Sequence, residues 1–280
     1  MKRIARIGFA AALLLLAAWS LLPVIWTAIT SVSRVQDLTA MPPNIFPDSP
    51  DFSSYGRLFG FDPKSWDVWT TMKQSTINSL IGSVGGTVVV VFLALLSGYA
   101  FARVKFPGRN LVFFVCIATM ALPGYAVMIP LYRLMMELNL LNTYHGIILI
   151  FSSAYAPIAV WLMRGFVAGL PREIEESATI DGAGRWRILL SIVFPLTAPG
   201  LVAVAIITFL GCWSMFVTVM VFSPSLKTLN VFISEFVLKT SIDYPMMCAV
   251  GVISMIPPIL IEAFLNRYLI SGLMLGSIKG

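Results

Sequence analysis

The chain has 280 residues, of which 58% are hydrophobic and 11% charged, and its mean hydropathy is +0.89. Soluble chains carry about 25% charged residues, so this composition excludes a water-soluble globular enzyme, a disordered chain and a disulfide-stapled secreted module. Its net charge of +6 comes from 19 Lys and Arg spread along the chain instead of massed in a stripe, which excludes a nucleic-acid binder.

A helix that crosses hydrocarbon needs about 20 apolar residues, because each residue adds roughly 1.5 Å. Six intervals qualify: Ile7 to Ser33, Gln74 to Ala102, Asn110 to Tyr132, Gly146 to Met163, Ile188 to Thr228 apart from Lys227, and Tyr244 to Ile261. The fifth is too long for one span. Its first third carries Pro195 and Pro199 and belongs with the preceding cytoplasmic segment, leaving about Leu201 to Phe222 as the helix. Nothing has the ten-residue alternation of a barrel, so the expected fold class is an all-α membrane protein with six transmembrane helices.

Lys and Arg set the orientation. One side holds twelve: Lys2, Arg3, Arg6, Arg103, Lys105, Arg109, Arg164, Arg172, Arg185, Arg187, Arg267 and Lys279. The other holds seven, with eight acids that include Asp37, Asp48, Asp51, Asp62 and Asp67. Both termini are therefore expected in the cytoplasm. A signal peptide is the rival reading of residues 1–33, but the apolar run exceeds the usual 7 to 15 residues and no clear cleavage site follows. The expected organisation is one transmembrane domain over residues 1–280: an N-terminal span at 1–33, an outer loop at 34–73, and a five-helix core at 74–280 with a cytoplasmic loop at 164–199. The outer loop, rich in Pro42, Pro43, Pro47, Pro50 and Pro63, reads as ordered turns or short helices. Cys116, Cys212 and Cys248 fall inside spans and read as packing residues.

The cytoplasmic loop reads as two short helices and a turn. Pro171 suits the first helical position, and Glu173, Glu175 and Glu176 place negative charge near the first-turn amides. The helix should end near Asp181, with Gly182 in the left-handed conformation. Trp186, Leu189, Leu190 and Val193 then fall at i, i+3, i+4 and i+7, one apolar stripe, until Pro195 stops the run. An amphipathic helix on the inner leaflet is the alternative reading. Four acids, Glu173, Glu175, Glu176 and Asp181, would then meet anionic headgroups, so a protein partner fits better.

Glu176, Ala178, Asp181, Gly182 and Ala183, with Ile192, Pro195 and Pro199 beyond, resemble the EAA loop of bacterial ABC-importer permeases. Asn78, Ser79 and Leu80, then the stretches Gly98 to Arg109, Ile129 to Tyr132, Leu141 to Leu149 and Gly272 to Gly280, are similar to the MalG-like carbohydrate-uptake family. The resemblance implies a MetI-like fold in a bacterial inner membrane. It also implies a second permease subunit, two cytoplasmic ABC ATPases that bind ATP and Mg, an extracytoplasmic solute-binding protein, and an EAA helix that docks into an ATPase cleft. On that basis Glu173, Glu175, Glu176, Ser177, Ala178, Asp181, Gly182, Ala183, Trp186 and Pro195 are the candidate ATPase-coupling residues. Two departures stand out: Ser177 replaces the middle Ala of the triplet, and Trp213 is followed by Ser214, Met215 and Phe216 where relatives often have Asn and an acid.

The chain contains no G-x-x-x-x-G-K-[ST] phosphate loop, so it is not expected to be an enzyme or to hold a cofactor itself. Ion-coupled carriers place acids, His or Arg inside the membrane, and here Glu262 is the exception in spans that otherwise lack them. It reads as a snorkelling or locally paired residue. His145 has no sequence neighbours that would complete a metal site and reads as structural. Sugar rings favour aromatic faces and hydroxyls. Asn78, Tyr99, Tyr125, Tyr155, Trp213 and Ser214 are the candidate solute-path residues, ordinary helix packing being the alternative for each. The expected function is alternating-access import of a sugar or sugar-like solute driven by partner ATPases. A self-contained channel or secondary carrier is the alternative.

Overall fold

The computed structural model describes residues 2–42, 44, 46–47, 49–237 and 242–277. Pro43, Asp48, Lys239 and Lys279, used above, lie outside them, as does the end of the 272–280 stretch. In chain order the helices are α1 (Lys2–Ser31), α2 (Val35–Thr39), α3 (Ser53–Leu58), α4 (Trp66–Arg103), α5 (Arg109–Ala118), α6 (Gly124–Glu137), α7 (Tyr144–Gly169), α8 (Arg172–Ile180), α9 (Arg185–Ile188), α10 (Phe194–Leu196), α11 (Ala198–Trp213), α12 (Val217–Phe222), α13 (Leu229–Ser234) and α14 (Tyr244–Ser277). Among the described residues, strand pairing is confined to one isolated bridge, Val237 to Ile242.

Among the described residues, four helical stretches are long and apolar enough to cross a membrane: Gly8–Ser31, Pro63–Arg103, Tyr144–Gly169 and Tyr244–Phe264. The count reaches six if each of two bent pairs is one span; the third expected span, Asn110 to Tyr132, is one such pair and not a single helix, and the fifth, Leu201 to Phe222, is interrupted after Trp213. Arg109–Ala121 meets Gly124–Glu137 at 107°. The cause is local: Leu122 precedes Pro123 and takes an extended ψ of 128°, since the proline ring crowds out the helical conformation before it. Arg185–Leu196 meets Ala198–Trp213 at 74°, so the fifth helix begins at Ala198 and ends at Trp213, with α12 separate beyond Ser214, Met215 and Phe216. The second span also starts earlier than its charge-free interval, at Trp66, making α4 38 residues and about 57 Å long.

The chain forms two compact units. One comprises residues up to 75 with 229–256. Within it Leu14, Leu15 and Trp19 of α1 are exposed, consistent with lipid contact around the helix. The Ser31 and Tyr55 hydroxyls lie 2.8 Å apart, and Arg57 pairs with Asp243 at 3.2 Å. The proline-rich segment is held by local turns: the Ser53 amide donates to Asp51 and the Lys64 amide to Asp62.

The second unit comprises residues 76–228 with those from 257 onward. Its core joins Val90 and Ala94 of α4, Ala159, Met163 and Val167 of α7, and Leu201 and Val204 of α11. Glycines let α4 and α7 approach. A Cβ at Gly98 would sit 2.7 Å from the Met163 Cβ and 3.0 Å from the Arg164 amide nitrogen, so no other residue fits without movement. Gly86 faces the Phe151 Cβ in the same way. The Thr143 hydroxyl caps α7 by accepting from the Gly146 amide at 3.0 Å.

Candidate functional site

The acidic segment forms the helix, turn and helix expected. Pro171 stands one residue before the helix, as its N-cap, and α8 runs from Arg172 with Glu173 and Glu175 in its first turn. Its C-terminus is a backbone lock. Gly182 has φ +82°, its amide donates to the Thr179 carbonyl at 3.0 Å, and the Ala183 amide donates to the Ala178 carbonyl at 2.9 Å. This paired 5→2 and 6→1 bonding is the Schellman arrangement, and Ala178 and Ala183 both pack against the core of the unit.

The second helix departs from the expected stripe. Leu189 and Val193 are buried with Ile188, whereas Trp186 is 68% exposed and Leu190 58%. A π-helical stretch, Leu189–Val193, follows Trp186, and its wider turn shifts the register of the side chains beyond its start. Pro195 lies inside the final turn, and the run ends at Thr197. Trp186 is thus exposed, as is Ile180, 86%, on α8, where Glu173 and Glu176 and the following Asp181 are exposed too. Ser177 is also exposed; its carbonyl accepts from the Asp181 amide at 3.1 Å, and its side chain takes no part in the turn's bonding.

Glu175 behaves unlike the other acids. Its Oε1 accepts from Arg103 Nε at 2.6 Å and its Oε2 from the Tyr99 hydroxyl at 3.3 Å, while Arg103 Nη2 donates to the Leu170 carbonyl at 2.8 Å. The ion pair is largely removed from solvent, the Arg and Glu side chains being 9% and 13% exposed. Arg103 entered the sequence reading only as an orientation charge. Its spacing of four from Tyr99 puts both on one helix face, which was the available signal, but the partner lies 72 residues away.

A second feature is an open-sided cavity of about 770 Å³. Tyr125 and Met128 of α6, Ser153 and Pro157 of α7, and Ser214 and Phe216 beyond α11 contribute to its walls, and none of its lining residues carries a charge. Of the six candidate path residues, Tyr125 and Ser214 are here. The others lie elsewhere. Asn78 is buried with Nδ2 donating to the Lys227 carbonyl at 2.8 Å and Oδ1 accepting from Tyr144 at 2.6 Å. Tyr99 bonds Glu175, the Tyr155 ring lies against Gly211, and Trp213 is buried on Phe209 with ring centroids 5.6 Å apart. Met128, Ser153 and Phe216 were missed because sequence spacing does not show that three separate helical segments line one cavity. Among the described residues no three His, Cys, Asp or Glu side chains gather as a metal site; His145 and Glu262 are both exposed.

Apolar helices, two pairs of them sharply bent, and a locked acidic helix beside them define a multi-pass membrane permease. The chain belongs to the family described as binding-protein-dependent transport system inner membrane component, which matches residues 90–274. It is 30% identical over 262 residues to the sulfoquinovosyl glycerol transport system permease protein SmoH of Agrobacterium fabrum, covering 93% of this chain and 89% of that one. It is 35% identical over 204 residues to the arabinooligosaccharides transport system permease protein AraQ of Halalkalibacterium halodurans, covering 71% and 72%. Among solved structures, a bacterial ABC transporter involved in the import of the acidic polysaccharide alginate contains a similar chain, with TM-score 0.79, 25% identity, and coverage of 96% and 97%. The protein is thus an inner-membrane permease of the ABC importer class, with the MetI-like fold.

Proposed function

We propose that this chain is one membrane half of an ATP-driven importer for a sugar or sugar-like solute. Residues 1–280 act as one permease domain with both termini in the cytoplasm, beside a second permease. Two cytoplasmic ATPases hold ATP and Mg, and an extracytoplasmic binding protein delivers the solute. Alternating access follows when the ATPases push on the segment 164–199. The observation that carries the reading is the exposure of Ile180 and Trp186 in the same short segment that exposes Glu173, Glu176 and Asp181. Large apolar side chains presented to cytosol beside fixed acids fit a protein cleft better than an anionic leaflet.

The solute class is supported by the cavity and the relatives together. An aromatic ring and hydroxyls suit a polyhydroxylated solute. Relatives named for sulfoquinovosyl glycerol and arabinooligosaccharides are permeases for sugar-containing solutes. The test is purification from native membranes, where an ATPase and a second permease should accompany the chain. Gly182→Leu, which forces a side chain onto a φ of +82°, should retain the complex but separate ATP hydrolysis from uptake. Uphill transport by the isolated chain would instead establish a self-contained carrier.

A further inference from the structure

A nine-residue helix at a membrane surface has little stability of its own, since isolated helices shorter than about 12 to 15 residues are marginal in water. For α8 to pass on a push, something must tie it to the spans. The Schellman turn fixes its C-terminal end. At its N-terminal end both carboxylate oxygens of Glu175 are held from α4, by Arg103 and Tyr99. Arg103 also holds the Leu170 carbonyl, so a single guanidinium joins the end of α4, the residue that follows α7, and α8.

We infer that Arg103, Tyr99 and Glu175 form a clamp that transmits movement of the coupling helix into α4 and α7, Glu175 being a positioning residue and not an ATPase contact. The inference rests on the coupling role proposed above. Three observations lead to it. Glu175 is half-buried and turned inward, whereas Glu173 and Glu176 are exposed. Arg103 terminates α4, which meets α7 without clearance at Gly98 and Gly86. Finally, α7 supplies Ser153 and Pro157 to the cavity wall. The route from α8 to the cavity therefore passes through a bidentate polar contact and then a glycine seam, with no long flexible side chain between them. An ion pair withdrawn from water suits this role, because neither partner finds a comparable alternative by rotating into solvent.

The test uses the complex purified from native membranes and reconstituted in lipid, with Cys116, Cys212 and Cys248 replaced by Ser and Ser153→Cys as a reporter. Labelling of the reporter by a soluble maleimide is followed with and without Mg-ATP and vanadate, alongside the amount of ATPase retained. In the reporter background the nucleotide should change the labelling rate. Glu175→Gln and Arg103→Met should each retain the ATPase yet reduce that nucleotide-dependent change about tenfold, in the range of measured coupling between distant sites. Arg103→Lys, which keeps the charge but loses the forked geometry, should recover part of it. Tyr99→Phe removes one hydroxyl and should reduce it about twofold, keeping the test decisive if Arg103→Met does not assemble. An undiminished response in Glu175→Gln and Tyr99→Phe overturns the clamp. Loss of the ATPase from Glu175→Gln also overturns it, because Glu175 is then a docking residue. No nucleotide response in the reporter background overturns the coupling reading, and the clamp with it.

Discussion

Residues 170–184 and 34–65 both join long apolar helices through short ones and are both pinned by Arg–carboxylate pairs, yet the pairs sit in different surroundings. Arg103 and Glu175 meet at 2.6 Å with side chains 9% and 13% exposed. Arg34 and Asp51 meet at 3.9 Å, 57% and 31% exposed, and Arg57 and Asp243 at 3.2 Å, 35% and 26% exposed. Water competes for the second set and hardly at all for the first. Loss of one partner from a withdrawn pair strands a charge, whereas loss from an exposed pair releases a group into solvent. The same chemistry therefore makes a rigid joint in one segment and a weak tether in the other.

The strongest way to break this comparison is Arg103→Met, expected to lower the stability of the purified protein by about 3 to 5 kcal/mol while Glu175 remains. Thermal unfolding in nanodiscs checks it, and the double variant Arg103→Met with Glu175→Met should recover most of the loss. Next comes the seam beneath the joint. Gly98→Val should cost about 1 to 3 kcal/mol by overpacking against Met163, read in the same assay. Gly182→Ala has open space around its Cβ, so its whole cost, about 1 to 2 kcal/mol, comes from the left-handed backbone. Hydrogen exchange should quicken at the amides of 182 and 183. In the outer segment Arg57→Met should cost about 0.2 to 1 kcal/mol, and a loss as large as that of Arg103→Met would erase the contrast.

The smallest effect concerns acid. The Ser53 amide and then its hydroxyl, with Arg34 and Arg57 contributing, hold the Asp51 carboxyl below its ordinary 3.8. A depressed carboxylate stabilises the fold above that ordinary value and loses the contribution as pH falls through the lowered one. Unfolding followed from pH 6 downward should therefore show a slight acid-side decline that Asp51→Asn removes.

Local chemistry was legible in the sequence where it was self-contained. Asp181 followed by Gly182 announced the end of α8, because only a residue tolerant of positive φ closes that turn. The apolar intervals announced the long helices for an equally local reason. Pro123 lies inside the third apolar interval, Asn110 to Tyr132, but a proline alone does not set the size of the bend. The break after Trp213 carries neither proline nor glycine, and the π-helical stretch at 189–193 shifts a stripe that a 3.6-residue period places elsewhere. Both are set by tertiary contacts. So is the division among the acids: Glu175 and Glu176 are adjacent and chemically identical, and a partner 72 residues distant decides which turns inward.

The turn at 178–183 is closed entirely by main-chain amides and carbonyls, with the small Ala178 and Ala183 beneath it. The outward side chains, those of Ser177, Ile180 and Trp186 among them, contribute nothing to that closure. The exposed lettering is thus separable from the hinge pin, so a lineage can rewrite whom this element greets while the scaffold underneath stays as it was. Ser177, standing where the related pattern has Ala, is one such rewritten letter.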